Sequence, residues 1–151
     1  MGHRVTGLIA ETKSLADFAS THGLHAPVPL QRGLALLALR PEDIDAFLAP
    51  PLTGHAPGFT YLSEQLVKEL LILSVHAPVM YFETDYFGGA GGQGAAVFAG
   101  GKAMYGPVWA ASGAINAALA HWGIRSDAGA PDAFDAIGLG RHRTTDGWVE
   151  D

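Results

Sequence analysis

Two closely spaced carboxylates are the first candidates for chemistry in this sequence. Glu83 and Asp85 lie two residues apart in a segment rich in β-forming residues, so on a strand they point to the same face. Such a pair can serve general acid–base catalysis or hold a divalent cation. No third carboxylate follows nearby, and Tyr81 and Phe87 flank the pair. Aromatic residues beside charges are typical of binding anchors, which favours a solvated or partner-facing acidic strand face over a catalytic one.

A glycine-rich segment runs from Gly88 to Gly94 directly after these carboxylates. A phosphate-binding loop of this kind needs a following helix N-terminus or a Lys-Ser/Thr pair. Here the next residues favour a strand, and the next lysine is Lys102. The pattern therefore favours a hairpin connection. A small ligand-binding domain or enzyme using this segment with Glu83 and Asp85 remains the alternative.

The other polar groups do not form a known catalytic or metal-binding motif. The seven histidines lack metal-ligand spacing, so no metal and no cofactor is predicted. The absence of cysteine excludes disulfides, thiolate catalysis and cysteine zinc sites. Arg141 and Arg143 can either bind an anion together or fold back onto the protein's own acidic residues. No serine lies in a nucleophile-elbow context.

Length and composition limit the classes of protein that need consideration. The 151 residues suit one domain spanning 1–151, and 48% of them are hydrophobic while only 16% are charged. The net charge of -6 argues against nucleic-acid binding and permits a basic partner. The lack of cysteine and of a signal-peptide pattern predicts a cytoplasmic protein that does not associate with membranes. The low charge content is compatible with a homodimer.

Hydrophobic periodicity predicts the elements that position these residues. Strands are expected over residues 4–10, 30–39, 79–87, 95–99 and 102–108, with a buried helix as the alternative for residues 30–39. Helices are expected within residues 14–22, 41–48, 60–75, 112–122 and 132–137. The last three strands form a meander. We expect an α+β fold with a mixed, mostly antiparallel sheet of about five strands and with helices packed mainly on one face.

Three segments of the chain resemble a known group of bacterial proteins. They are YFETDYFGGAGGQGAAV from Tyr81 to Val97, INAAL from Ile115 to Leu119, and FDAIGLGRHR from Phe134 to Arg143. Together they resemble small bacterial proteins that look like the immunity proteins of polymorphic and contact-delivered toxins. The resemblance covers mainly the chain from about residue 79 onward. It implies a protein that occludes a toxin and carries no catalytic residue.

The sequence thus predicts an immunity-type binding protein rather than an enzyme. Glu83 and Asp85 could mimic the anionic substrate of a basic toxin, and the aromatic residues would supply buried contact area. The residues predicted to bind this partner are Tyr81, Glu83, Asp85, Tyr86, Phe87, Gln93, Arg141 and Arg143. A structural or phage-derived accessory protein is the third hypothesis.

Overall fold

One antiparallel sheet runs through the computed structural model, which describes residues 2–88, 90–125 and 132–151. Its six strands in these residues are β1 (Thr6–Glu11), β2 (Val28–Pro29), β3 (Leu34–Ala38), β4 (Val79–Phe87), β5 (Ala90–Ala99) and β6 (Lys102–Ala110). The helices are α1 (Thr12–His22), α2 (Pro41–Phe47), α3 (Glu64–Leu73), α4 (Ala114–Trp122), α5 (Ala133–Ala136) and α6 (Thr145–Val149). The strand order is β2-β3-β1-β4-β5-β6, which places β1 and β4 at the centre.

The sheet buries apolar side chains on both of its faces. Val79 and Tyr81 of β4 pack with buried residues of α1, α2 and α3. Met80 and Phe82, which alternate with them, pack with buried residues of α4, α5 and α6. Successive residues of a strand point to opposite faces, so the two clusters are two separate cores. The central strands therefore contribute side chains to both of them.

The α+β class is confirmed, and the structure corrects three details of the predicted sheet. The sheet has six strands rather than about five, because the Pro29 segment adds the short β2. The pairings among these six strands are all antiparallel, so the sheet is not mixed. Its helices cover both faces rather than mainly one. The physical reason is visible in β3, where all five residues are buried and each face needs a cover.

The boundaries of two helices determine what lies next to β4. The predicted helix over residues 60–75 begins later, as α3, because the Ser63 hydroxyl accepts a 3.2 Å hydrogen bond from the N–H of Leu66. Residues 59–61 are thereby free to lie against the sheet. The last long helix, α4, is preceded by Gly113 in a left-handed conformation, so Ser112 is not its N-cap as the sequence predicts.

Candidate functional site

Tyr81 and Glu83, two of the residues predicted to bind a partner, lie inside the protein. Their side chains point to the face covered by α1, α2 and α3, and both are buried. The covering residues come from the segment before α3, where the Phe59 ring centre lies 6.2 Å from that of Tyr81. A partner therefore does not reach Tyr81. Glu83, at 3% exposure, contributes a small area to the lining of a depression of about 110 Å³ that also includes Asp85.

The Glu83 carboxylate is held by three donors. Oε1 accepts from the N–H of Thr60 at 2.8 Å, and Oε2 accepts from the N–H of Tyr61 at 2.9 Å and from the hydroxyl of Tyr81 at 2.6 Å. Burial, together with the neighbouring charge of Glu83, raises the pKa of Tyr81 well above its usual value. The carboxylate thus holds residues 60–61 against β4. Both of its oxygens already accept hydrogen bonds from within the protein, which disfavours a role in acid–base chemistry.

Asp85 occupies a different environment from Glu83, although both belong to the same face of β4. Its carboxylate pairs with the guanidinium of Arg4 at 3.3 Å, and the two side chains are 46% and 78% exposed, respectively. An exposed pair of this kind stabilises a fold by less than about 1 kcal/mol. The two carboxylates line one depression of about 110 Å³, but only Asp85 presents an exposed charge there.

The end of β4 forms one wall of a surface depression of about 280 Å³. Its lining, which we call the β4-end depression, consists of Gly2, His3, Arg4, Asp85, Tyr86, Phe87, Arg143 and Thr144. Four of the residues predicted to bind a partner thus meet here: Asp85, Tyr86, Phe87 and Arg143.

Backbone pairing brings the three parts of the β4-end depression together. His3 forms an antiparallel bridge to Tyr86, and Arg4 forms a parallel bridge to Thr144. The N–H of Arg4 also donates a 2.7 Å hydrogen bond to the carbonyl of Arg143. The N-terminal segment therefore lies between the end of β4 and the segment before α6. Sequence reasoning missed His3, Arg4 and Thr144, because no local pattern connects residues so far apart in the chain.

Phe87 is the most exposed large hydrophobic residue in the described part of the chain, at 83%. It ends β4 and is paired in the sheet with Ala90. An aromatic side chain in solvent adds little to folding, since its apolar area remains hydrated. It is well placed to contact another molecule.

Gln93 has a structural role between the sheet and α4. Its side-chain amide donates to the hydroxyl of Tyr86 at 3.1 Å, and its carbonyl oxygen accepts from the N–H of Ile115 at 2.8 Å. The Tyr86 hydroxyl in turn donates to the carbonyl of Ala111. Gln93 therefore satisfies a free N–H in the first turn of α4 and does not line the β4-end depression.

A second network connects α4 to the segment that begins at Asp132. The Asn116 side chain donates to the Asp132 carboxylate at 3.0 Å and accepts from the N–H of Phe134 at 3.0 Å. Together with the contacts of Gln93, these hydrogen bonds join three parts of the chain: residues 81–97, 115–119 and 134–143. Their polar residues thus have a part in holding the fold.

Arg141 and Arg143 do not form a common anion site. Arg141 lies 5.4 Å from the centre of the Trp148 ring and donates to Asp151 at 3.4 Å, so it folds back onto the protein. Arg143 lines the β4-end depression instead. Only Arg143 of the two therefore lies among the surface residues around Phe87.

Two of the glycines that follow β4, Gly92 and Gly94, make room for aromatic rings. Ala90 onward is strand, and Gly89 lies outside the described residues. A Cβ at Gly94 would lie 2.5 Å from the Phe59 ring, and one at Gly92 would lie 2.7 Å from the indole nitrogen of Trp109. These close contacts explain the lack of a side chain at Gly92 and Gly94 by packing.

Among the described residues, no group of three or more histidine or acidic side chains is arranged to hold a metal ion. None of the helices in those same residues has the length and apolar character needed to cross a membrane.

Comparison of the chain with protein-family models, with curated proteins and with solved structures found no match.

Proposed function

We propose that this protein is an immunity-type binding protein of the cytoplasm, which neutralises a cognate bacterial toxin by direct contact and is not an enzyme. The observation that carries the proposal is the exposure of Phe87 at the edge of the β4-end depression. Charged groups of Arg4, Asp85 and Arg143 line the same depression. An aromatic anchor within a polar rim is the usual composition of a protein-binding hot spot.

The structure changes which of the predicted partner-binding residues belong to this surface. Asp85, Tyr86, Phe87 and Arg143 remain, and Arg4 joins them. The alternative function, a ligand-binding domain or enzyme that uses the segment from Gly88 to Gly94, has less support. Gly92 and Gly94 accommodate aromatic packing, and the Glu83 carboxylate that this function would use already accepts from three internal donors.

The test is affinity capture from a lysate of the native host, followed by mass spectrometry. We expect the wild-type protein to retain a toxin domain in stoichiometric amount. The variant Phe87→Ser should lose it, because the central apolar contact is removed. Ile72→Ser is the matched control, since Ile72 is also a large exposed residue, at 65%, but lies on α3 away from the depression.

Neutralisation is then measured directly by co-expressing the captured toxin with each variant. Wild type and Ile72→Ser should restore growth, and Phe87→Ser should not. If Phe87→Ser protects as well as wild type, the toxin binds elsewhere on the protein. If wild type is recovered alone, or if the captured protein is not toxic, the proposed function is wrong.

A further inference from the structure

Two guanidinium groups line the β4-end depression from neighbouring backbone segments. Arg4 and Arg143 are both exposed, and the N–H of Arg4 donates to the carbonyl of Arg143. Arg4 contacts Asp85 through long hydrogen bonds of 3.3 and 3.4 Å. Within the described residues, the Arg143 guanidinium forms no ion pair. The depression therefore contains a guanidinium whose hydrogen-bonding groups are free for a ligand.

The local charge of the depression is opposite in sign to that of the whole chain. Asp85 is the one carboxylate in its lining, against the two arginines. Burial and the nearby charge of Arg143 lower the pKa of His3, so its imidazole is neutral at neutral pH. One positive charge is thus in excess here, on a chain with a net charge of -6. An anionic group from a partner would be attracted by this excess positive charge.

The size and walls of the depression limit what that anionic group is. Its volume of about 280 Å³ lies at the small end of the roughly 300–1,000 Å³ found for small-molecule and cofactor sites. Phe87 adds an exposed apolar wall beside the arginines. A single acidic side chain with an apolar neighbour matches this combination better than a nucleotide does.

We propose that the β4-end depression is the receptor for an aspartate or glutamate side chain of the partner protein. The carboxylate accepts hydrogen bonds from Arg143 and Arg4, and an apolar residue next to it packs on Phe87. This inference rests on the proposed function, because it assumes that the partner is a protein. The charges are the reverse of those in the hypothesis that Glu83 and Asp85 mimic an anionic substrate. Here the partner supplies the carboxylate and this protein supplies the positive charge.

A peptide titration of the full chain tests the site without the toxin. The probes are acetyl-Leu-Glu-amide and the neutral acetyl-Leu-Gln-amide, followed by NMR on the amide signals of residues 3–4, 85–87 and 143–144 and on the Arg143 side-chain signal. We expect saturable shifts with the glutamyl peptide and about tenfold weaker binding of the glutaminyl peptide. Arg143→Gln should remove this preference. Arg125→Gln, at an exposed arginine outside the depression, should keep it.

Three results would overturn the assignment. Equal binding of the two peptides shows that the charge is not recognised. Loss of the preference in Arg125→Gln, as well as in Arg143→Gln, shows a general charge effect. Saturation by inorganic phosphate at lower concentration than by the glutamyl peptide assigns the site to a free anion and not to a protein carboxylate.

The inference and the proposed function fail in distinguishable ways. If the glutamyl peptide binds but no toxin is captured, the carboxylate site stands and the immunity function falls. If a toxin is captured through Phe87 and its affinity is unchanged in Arg143→Gln, the function stands and the carboxylate site falls.

Discussion

The hydroxyl of Tyr81 donates a 2.6 Å hydrogen bond to Oε2 of Glu83, two residues further along the same strand and inside the protein. Since the carboxylate also accepts from the N–H groups of Thr60 and Tyr61, a charged group and three donors share one buried site. A satisfied buried carboxylate is compatible with a stable fold, whereas an unsatisfied one is costly. Two residues that look like binding anchors in the sequence are thus the attachment point of the segment before α3.

Glu83→Gln should lower the free energy of unfolding by about 2–4 kcal/mol. In either orientation of the new amide, its NH₂ group faces the backbone N–H of Thr60 or Tyr61. Two donors then face each other, and one hydrogen bond is lost. Urea denaturation of both proteins measures the difference. The control is Asp85→Asn on the same strand, which should cost less than about 1 kcal/mol because its ion pair is exposed. Equal losses in the two variants would contradict the structural role of Glu83.

The stability of the protein should decrease at alkaline pH in a way that depends on Tyr81. Its pKa is raised in the folded state by burial and by Glu83, so above pH of about 10 the unfolded chain releases this proton first. The contribution of the neutral phenol is complete below that pH and is lost as the pH rises towards the folded-state pKa. Tyr81→Phe lacks this part of the pH dependence. Its unfolding free energy, measured from pH 8 to 11, should therefore fall less steeply than that of wild type, and parallel curves would refute the assignment.

Gly94→Ala should destabilise the protein by about 1–3 kcal/mol through overpacking. The added Cβ would lie 2.5 Å from the ring of Phe59, which is itself buried. The midpoint of thermal unfolding reports the effect. Gly140→Ala serves as control, because its Cβ would approach only the end of the exposed Asp135 side chain, at 3.1 Å. A neutral Gly94→Ala would mean that Phe59 moves aside freely and that the glycine is not explained by packing.

Gln93→Ala should lower the free energy of unfolding by about 1–2 kcal/mol. The substitution leaves the N–H of Ile115 without its side-chain acceptor at the start of α4 and removes the contact with Tyr86. Chemical denaturation measures the loss, and hydrogen exchange at the first turn of α4 should accelerate. Gln31→Ala, at an exposed position, should change stability by less than about 0.5 kcal/mol. An unchanged exchange rate at Ile115 would show that the cap is not needed.

The sequence by itself determined most of the secondary structure. The β-rich run before Phe87, the hairpin glycines Gly100 and Gly101, and the apolar stripes of the helices all gave elements close to those observed. These signals are local, because strand and helix periodicity and turn preferences depend on neighbouring residues. The α+β class follows from the order of those elements.

Only the tertiary structure decided which strand residues are surface and which are core. Alternation correctly placed Tyr81, Glu83, Asp85 and Phe87 on one face of β4. It carries no information about how far along β4 that face is covered by other segments of the chain. Residues 59–61 reach over the first two, and the last two extend beyond them into solvent. In the same way, the β4-end depression depends on bridges from His3 and Arg4 to Tyr86 and Thr144. Contacts between residues so distant in the chain arise from packing of the whole sheet, and no local pattern records them.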